Sequence, residues 1–231
     1  MRDTNLNPYE SEVALENNQD KTSYEEDETV AKTGTTTIGM TTTDGVVIGT
    51  DRRASLGGKF VSNKNIVKVE QIQPQTGMTL VGSVGGAQDF IAQMRAETSL
   101  YEARRREEMS VESVANVASG LARRGPFRAI NPIIGGVDKT GSHVFTIDPA
   151  GGCIEDDYAV TGSGMMVAHG KLEDEYYDEI TNEEARLLIG QAIFASSERD
   201  TGSGNGLALC TITEDDLNIE TYNDYSVLEE L

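Results

Sequence analysis

A threonine directly after a glycine opens the strand-like part of this chain, in Lys32-Thr33-Gly34-Thr35-Thr36-Thr37 running into Ile38-Gly39-Met40. A threonine hydroxyl is a poor nucleophile until a base removes its proton. An internal threonine must borrow that base from a neighbour. An N-terminal threonine carries its own: a free α-amine has an ordinary pKa of about 7.7–8.0, close to working pH, where a general base is most useful. The expectation is that the Gly34–Thr35 bond is cut and Thr35 becomes the true N-terminus. Glycine at 34 suits that cut, because a residue without Cβ can take the tight conformation that brings the Thr35 hydroxyl to the Gly34 carbonyl. Read alone, Gly-Thr-Thr-Thr is a weak signal and fits better a β-prone strand after a disordered tail.

Other reactive side chains stand at the edges of apolar runs. Asp51-Arg52-Arg53 follows the buried-looking segment 46–50. It is either a strand emerging into solvent or a carboxylate and guanidinium held near the end of the first strand. Lys68 interrupts the apolar run 66–69. It either faces water or is desolvated with a lowered pKa. Ser163 lies in Thr161-Gly162-Ser163-Gly164, and Asp200 and Ser203 lie in Glu198-Arg199-Asp200-Thr201-Gly202-Ser203-Gly204. The chain has only two histidines, His143 and His169, and no motif supports a Ser-His-Asp triad. Zinc spacing, an EF-hand loop, a dinucleotide fingerprint and a P-loop are all missing, so no metal or cofactor is expected.

The 231 residues suffice for one sizeable domain, with 37% apolar and 6% aromatic content and no tryptophan. Net charge is −20. Subtracting the nine acids and three bases of residues 1–34 from the chain's 39 and 19 leaves 30 acids and 16 bases, so the body is itself strongly acidic. Such a surface argues against nucleic acid and anionic membrane as partners. Acid excess with seven lysines against twelve arginines points to adaptation to high salt, where screening removes self-repulsion. Cys153 and Cys210 sit in apolar contexts and read as free thiols. No signal-peptide core and no membrane-length apolar run is present, which points to the cytoplasm.

These residues must be positioned by regular elements. Residues 1–34 read as disordered, with Glu25-Glu26-Asp27-Glu28 either a solvated run or part of a propeptide that caps the nucleophile. Residues 35–42 and 46–50 form strands about the Asp44-Gly45 turn, so Thr35 opens a hairpin. Gly57-Gly58 marks another turn, and segments 66–69 and 78–82 read as strands. Ala87, Phe90, Ile91, Met94, Thr98 and Tyr101 have helical spacing, with Asp89 expected in the first turn. A second apolar stripe runs from Val111 to Ala122 after Ser110, a suitable N-cap. Arg104-Arg105-Arg106 and Arg123-Arg124 read as helix ends or subunit contacts. Segments 132–137, 143–147 and 153–160 are strand-like, and the Gly-rich turn at 161–164 opens a helix. Thr181 with Glu184 forms a capping box for another helix, and 207–212 and 217–222 close the chain as strands before an acidic tail. Strands, two helices, strands, two helices, strands is not βαβ alternation; antiparallel sheets with helices outside fit better.

Taken in order, Lys-Thr-Gly-Thr-Thr-Thr-Ile-Gly, Gly-Thr-Asp-Arg-Arg-Ala-Ser, Val-Lys-Val, Met-Thr-Leu-Val-Gly, Thr-Gly-Ser-Gly and Glu-Arg-Asp-Thr-Gly-Ser-Gly, spanning residues 32–204, resemble the β subunits of archaeal, specifically haloarchaeal, proteasome core particles. Gly-Gly-Val-Asp at 135–138 and Asp-Pro-Ala-Gly-Gly at 148–152 match the same family. The resemblance implies an α+β fold, the four-layer αββα sandwich of N-terminal-nucleophile hydrolases, with two antiparallel sheets flanked by helices. It implies a propeptide over 1–34 removed by self-cleavage, and a catalytic domain over 35–231. Thr35 would be the nucleophile, with its amine accepting the proton through a water. Lys68 would sit beside the Thr35 hydroxyl, and Asp51 would hold Lys68 and keep it charged. Ser163, Asp200 and Ser203 would orient the amine, and the Gly82 N–H would form the oxyanion hole. Ala54, Leu80 and Val84 would line the pocket for the residue before the cut, favouring apolar or aromatic side chains. Partners would be other β subunits in a seven-membered ring, α subunits in a stacked four-ring particle, a regulatory ATPase ring docked on the α rings, and unfolded polypeptide substrates. Placing Lys68 needs one extra residue near Gly57-Gly58, and Met165 stands where many members have serine. Two other readings share the nucleophile motif: a non-catalytic β subunit of a mixed ring, and a free-standing amidohydrolase.

Overall fold

The computed structural model describes residues 34–56, 58–125, 127, 130–229 and 231. The expected propeptide, apart from Gly34, and Gly57 of the expected turn lie outside the described residues.

Among the described residues the chain forms β1 (Thr36–Thr42), β2 (Gly45–Asp51), β3 (Ala54–Leu56), β4 (Phe60–Asn63), β5 (Val69–Gln73), β6 (Thr76–Thr79), α1 (Val84–Arg105) and α2 (Val111–Arg124). It continues through β7 (Ile133–Asp138), β8 (Gly141–Ile147), β9 (Cys153–Glu155), β10 (Tyr158–Gly162), α3 (Met165–Glu175), α4 (Asn182–Ser197), β11 (Leu207–Ile212) and β12 (Leu217–Tyr222). A short 3-10 helix, Ser226–Glu229, follows. Two five-stranded antiparallel sheets, ordered β10-β1-β2-β11-β12 and β5-β6-β7-β8-β9, face each other, with β3-β4 as a separate hairpin. Helices α1 and α2 cover the second sheet, α3 and α4 the first. The result is the expected four-layer αββα sandwich.

Period-two alternation sorts side chains between layers. In β2, Val46 and Ile48 enter the core between the sheets while Val47 joins the core under α3 and α4. In β1, Ile38 and Met40 take the helix side, and Gly39 takes the intersheet side, where a Cβ would meet Ile133 Cγ2 at 2.7 Å. Glycine there lets the sheets approach. Leu172 and Ile189 are fully buried, each worth about 1.5–3 kcal/mol of transfer free energy. Helix α4 starts where expected: Thr181 Oγ1 accepts from the Glu184 N–H, and the Glu184 side chain accepts from the Thr181 N–H. Ser110 caps α2 by accepting from the Ser113 N–H. The arginine pairs 104–105 and 123–124 lie in the last turns of α1 and α2, where the helix dipole favours cations.

Four expectations need correction. Segment 66–69 is not a strand: β5 begins only at Val69, and Lys68 sits in the loop leading to it. Segment 78–82 ends as a strand at Thr79, with Gly82 in an isolated bridge to Ile130. Helix α1 begins at Val84, so Asp89 lies beyond its first turn. Segment 153–160 breaks at Asp156-Asp157: β9 pairs with β8 in one sheet, and β10 with β1 in the other.

Candidate active site

The pairing register gathers one edge of the first sheet. Thr36 opposes Gly162, Thr37 opposes Thr50, and Leu207 opposes Asp51. The start of β1, the ends of β2 and β10 and the start of β11 therefore converge. Thr35, Asp51, Ser163 and the loop 200–206 stand together for that reason. The second sheet contributes Lys68, whose carbonyl accepts from the Leu80 N–H at 2.7 Å just before β5.

Lys68 is 3% exposed and Asp51 is wholly buried. The three N–H groups of the Lys68 ammonium meet three acceptors: Asp51 Oδ1 at 2.7 Å, Thr35 Oγ1 at 3.1 Å and the Gly34 carbonyl at 3.4 Å. Burial pushes the Lys68 pKa below its ordinary 10.5, and the Asp51 carboxylate opposes that shift without cancelling it. The desolvated reading of Lys68 is the one realised; the water-facing one is not. The Thr35 hydroxyl donates to the Gly34 carbonyl at 2.6 Å, so hydroxyl and carbonyl are in contact across the Gly34–Thr35 bond.

Asp51 is the hub of the site. Its Oδ1 accepts from the Lys68 ammonium and from the Thr36 N–H at 2.9 Å; its Oδ2 accepts from the N–H groups of Arg53 at 3.0 Å and Gly204 at 2.9 Å. Four donors fill the four acceptor positions of one carboxylate. The strand end at 51 thus turns inward, not out to solvent.

The Thr35 N–H donates to Ser163 Oγ at 3.1 Å, and the Ser163 hydroxyl donates to Asp200 Oδ2 at 2.6 Å. Ser203 Oγ also donates to Asp200 Oδ2 at 2.6 Å, so the Thr36 hydroxyl, 2.7 Å away, must be the donor to Ser203. Of the three residues expected around the Thr35 nitrogen, Ser163 touches it directly. Asp200 reaches it through Ser163, and Ser203 is joined to Thr36.

Gly34, Thr35, Ala54, Lys68, Leu80, Gly82 and Val84 line one small cavity of about 20 Å³, with Arg53, Ile66 and Ala87 as additional walls. Gly82 has a φ of +100°, a conformation that favours glycine. A larger groove of about 720 Å³ lies between the α1–α2 connection and the β7–β8 turn. Its Ser110 is engaged in capping α2, and its Asp138 accepts from the Val111 N–H. Thr35 and Lys68 line the small cavity, not this groove. Neither His143 nor His169 lines that cavity; His143 is bonded to Glu155 and Thr140, and His169 lies beside Tyr158.

Two contacts had no signal in the sequence. The Gly34 N–H donates to the buried Ser55 Oγ at 3.0 Å. A Cβ on Gly34 would fall 2.0 Å from Gly202 Cα. Glycine at 34 is thus enforced by close backbone approach, a reason separate from the conformational freedom first invoked.

A family model described as proteasome subunit matches residues 31–212. A chain named proteasome subunit beta from Halomicrobium mukohataei is 59% identical over 225 residues, 97% of this chain and 94% of that relative. Chains of the same name from Halorhabdus utahensis and Natronomonas pharaonis are 58% and 57% identical, covering 96% and 97% of this chain and 97% and 93% of theirs. With this coverage, the chain belongs to the proteasome subunit family, on the side of the haloarchaeal β subunits.

Proposed function

We propose that the chain is a proteolytic subunit of the proteasome core particle, a threonine endopeptidase that makes its own nucleophile. One observation carries this reading: Lys68 Nζ lies 3.1 Å from Thr35 Oγ1, and that oxygen lies 2.6 Å from the Gly34 carbonyl oxygen, in a buried site braced by Asp51. Lys68 in its amine form takes the proton from Thr35 Oγ1. The oxygen attacks the Gly34 carbonyl carbon, the C–N bond breaks, and the Thr35 nitrogen takes the proton. A Gly34–Thr35 ester is left. Water hydrolyses it, with the freed Thr35 amine as base. Residues 1–34, the propeptide, depart with a carboxylate at Gly34, and Thr35 keeps its hydroxyl and amine.

The same atoms then serve incoming peptides. Thr35 Oγ1 attacks the scissile carbonyl, an acyl-enzyme forms as the downstream peptide leaves as an amine, and water regenerates the hydroxyl. Lys68, held by Asp51, offsets charge on the hydroxyl oxygen, and Ser163, backed by Asp200 and Ser203, orients the amine. The Gly82 N–H is assigned the developing oxyanion, a role worth about 10²–10³ in rate. Departure of Gly34 enlarges the cavity, whose walls of Ala54, Leu80 and Val84 suit an apolar residue before the cut. Met165, 42% exposed at the start of α3, replaces a serine without removing a bond made by Ser163.

The particle is proposed as seven-membered β rings between α rings in a four-ring stack, in the cytoplasm, receiving unfolded polypeptides through a regulatory ATPase. Among the described residues no helix is long and apolar enough to cross a membrane. The test is the intact mass and peptide hydrolysis of particles carrying wild-type or Thr35→Ala chains. The wild-type chain should begin at Thr35 and cleave peptides. Thr35→Ala should retain its leader and cleave nothing. A wild-type chain that starts at Met1 or Arg2 in the assembled particle would make it a structural subunit instead.

A further inference from the structure

We propose that Ser55 is a positioning residue for the scission of the Gly34–Thr35 bond, and that it acts on the leader and not on later substrates. The inference rests on the reading that this bond is cut. Gly34 is held from three sides. Its carbonyl oxygen accepts from the Thr35 hydroxyl and faces the Lys68 ammonium. Its Cα abuts Gly202, and its N–H donates to Ser55 Oγ at 3.0 Å. Ser55 is 1% exposed on β3, so water cannot readily substitute for this acceptor. Among these contacts the bond to Ser55 fixes the amide on the upstream side of Gly34. A glycine has the greatest freedom about its two dihedrals. Anchoring both its nitrogen and its carbonyl oxygen sets which face of the carbonyl carbon meets Thr35 Oγ1.

Selectivity for the leader follows from Gly202. Any residue with a side chain, placed where Gly34 sits, would put its Cβ 2.0 Å from Gly202 Cα. A substrate residue entering beside Ala54, Leu80 and Val84 must therefore follow a displaced path. The contact with Ser55 Oγ belongs to the glycine that leaves.

The experiment compares two rates in assembled particles. The first is loss of residues 1–34 from the full chain, followed by intact mass. The second is hydrolysis of a fluorogenic apolar peptide by particles whose β chains are produced with Thr35 already exposed, by removal of an N-terminal ubiquitin fusion. Ser55→Ala should slow leader loss about tenfold, the worth of one buried hydrogen bond, and leave kcat/KM of the pre-cut particle within about twofold. Ser55→Thr should restore the rate of leader loss. Wild-type leader loss in Ser55→Ala overturns the proposal, as does an equal fall in both rates, which would mark a structural role. A wild-type chain that itself keeps its leader overturns the scission reading, and this proposal with it.

Discussion

Gly34 and Gly202 meet backbone to backbone: a Cβ on Gly34 would fall 2.0 Å from Gly202 Cα, and one on Gly202 would fall 2.3 Å from Gly34 Cα. Both atoms are main chain, so neither can swing aside as a flexible side chain would. Gly34→Ala should displace the scissile carbonyl and slow leader loss by about 100-fold, the scale expected of a 1 Å misplacement. Intact mass after assembly reads the rate. Chains produced with Thr35 exposed should be indifferent, because residue 34 is no longer present.

Lys68→Arg is the informative partner to Lys68→Ala. Arginine keeps the positive charge but cannot give up its proton near neutral pH. If Lys68 accepts the Thr35 proton, both variants should retain the leader. Undiminished scission in Lys68→Arg would reduce the lysine to a fixed charge.

The pH dependence has a defined sign. Burial lowers the Lys68 pKa from 10.5, so the amine form grows as pH rises toward that lowered value from below. Leader loss should accelerate with pH over this range and flatten above it. Between the lowered folded value and 10.5 the unfolded chain binds more protons, so this lysine makes the fold more stable as pH rises. Denaturant midpoints of wild type against Lys68→Met across this window check the second statement.

Asp51→Asn would leave Lys68 buried without its carboxylate and turn an amide N–H₂ toward donors. Breaking one partner of a buried ion pair costs about 3–5 kcal/mol. A fall of that size in unfolding free energy, together with a retained leader, is expected. Urea denaturation and intact mass measure the two.

Cys210 is fully buried, and burial pushes its thiol up to about 12. It should resist iodoacetamide at pH 8 until the chain unfolds, whereas the half-buried Cys153 should be modified slowly. Peptide mapping after timed alkylation distinguishes them.

Much of this architecture was readable residue by residue where the determinants are local. Thr181 and Glu184 announce α4 because a capping box spans only four residues, and Asp44-Gly45 announces the β1–β2 hairpin, although the turn falls one residue earlier, on Thr43-Asp44, and Gly45, already in β2, pairs with Thr42. The β3–β4 hairpin leaves no such mark, since Phe60–Asn63 carries no apolar alternation and is largely exposed. The run Ile66-Val67-Lys68-Val69 reads as a strand although β5 starts only at Val69, because so short a run has the same pattern in a strand and in a loop packed against the core. Within the candidate site, Thr35, Asp51, Ser163 and Asp200 stand out as polar residues at element ends. Ser55 and Gly202 do not. Their contacts with Gly34 span 21 and 168 residues of sequence and exist only once the first sheet, the β3–β4 hairpin and the turn after α4 are in place.

The four donors on Asp51 come from the start of β1, the connection after β2, the loop before β5 and the turn before β11. Lys68 and Gly204 lie 17 and 153 residues from Asp51, and the four segments adjoin both five-stranded sheets. A partly folded intermediate lacking any of them would hold Lys68 loosely and leave Thr35 inert. On the proposed scission, release of the leader is therefore a molecular timestamp: Thr35 is freed only after the surrounding tertiary structure is in place.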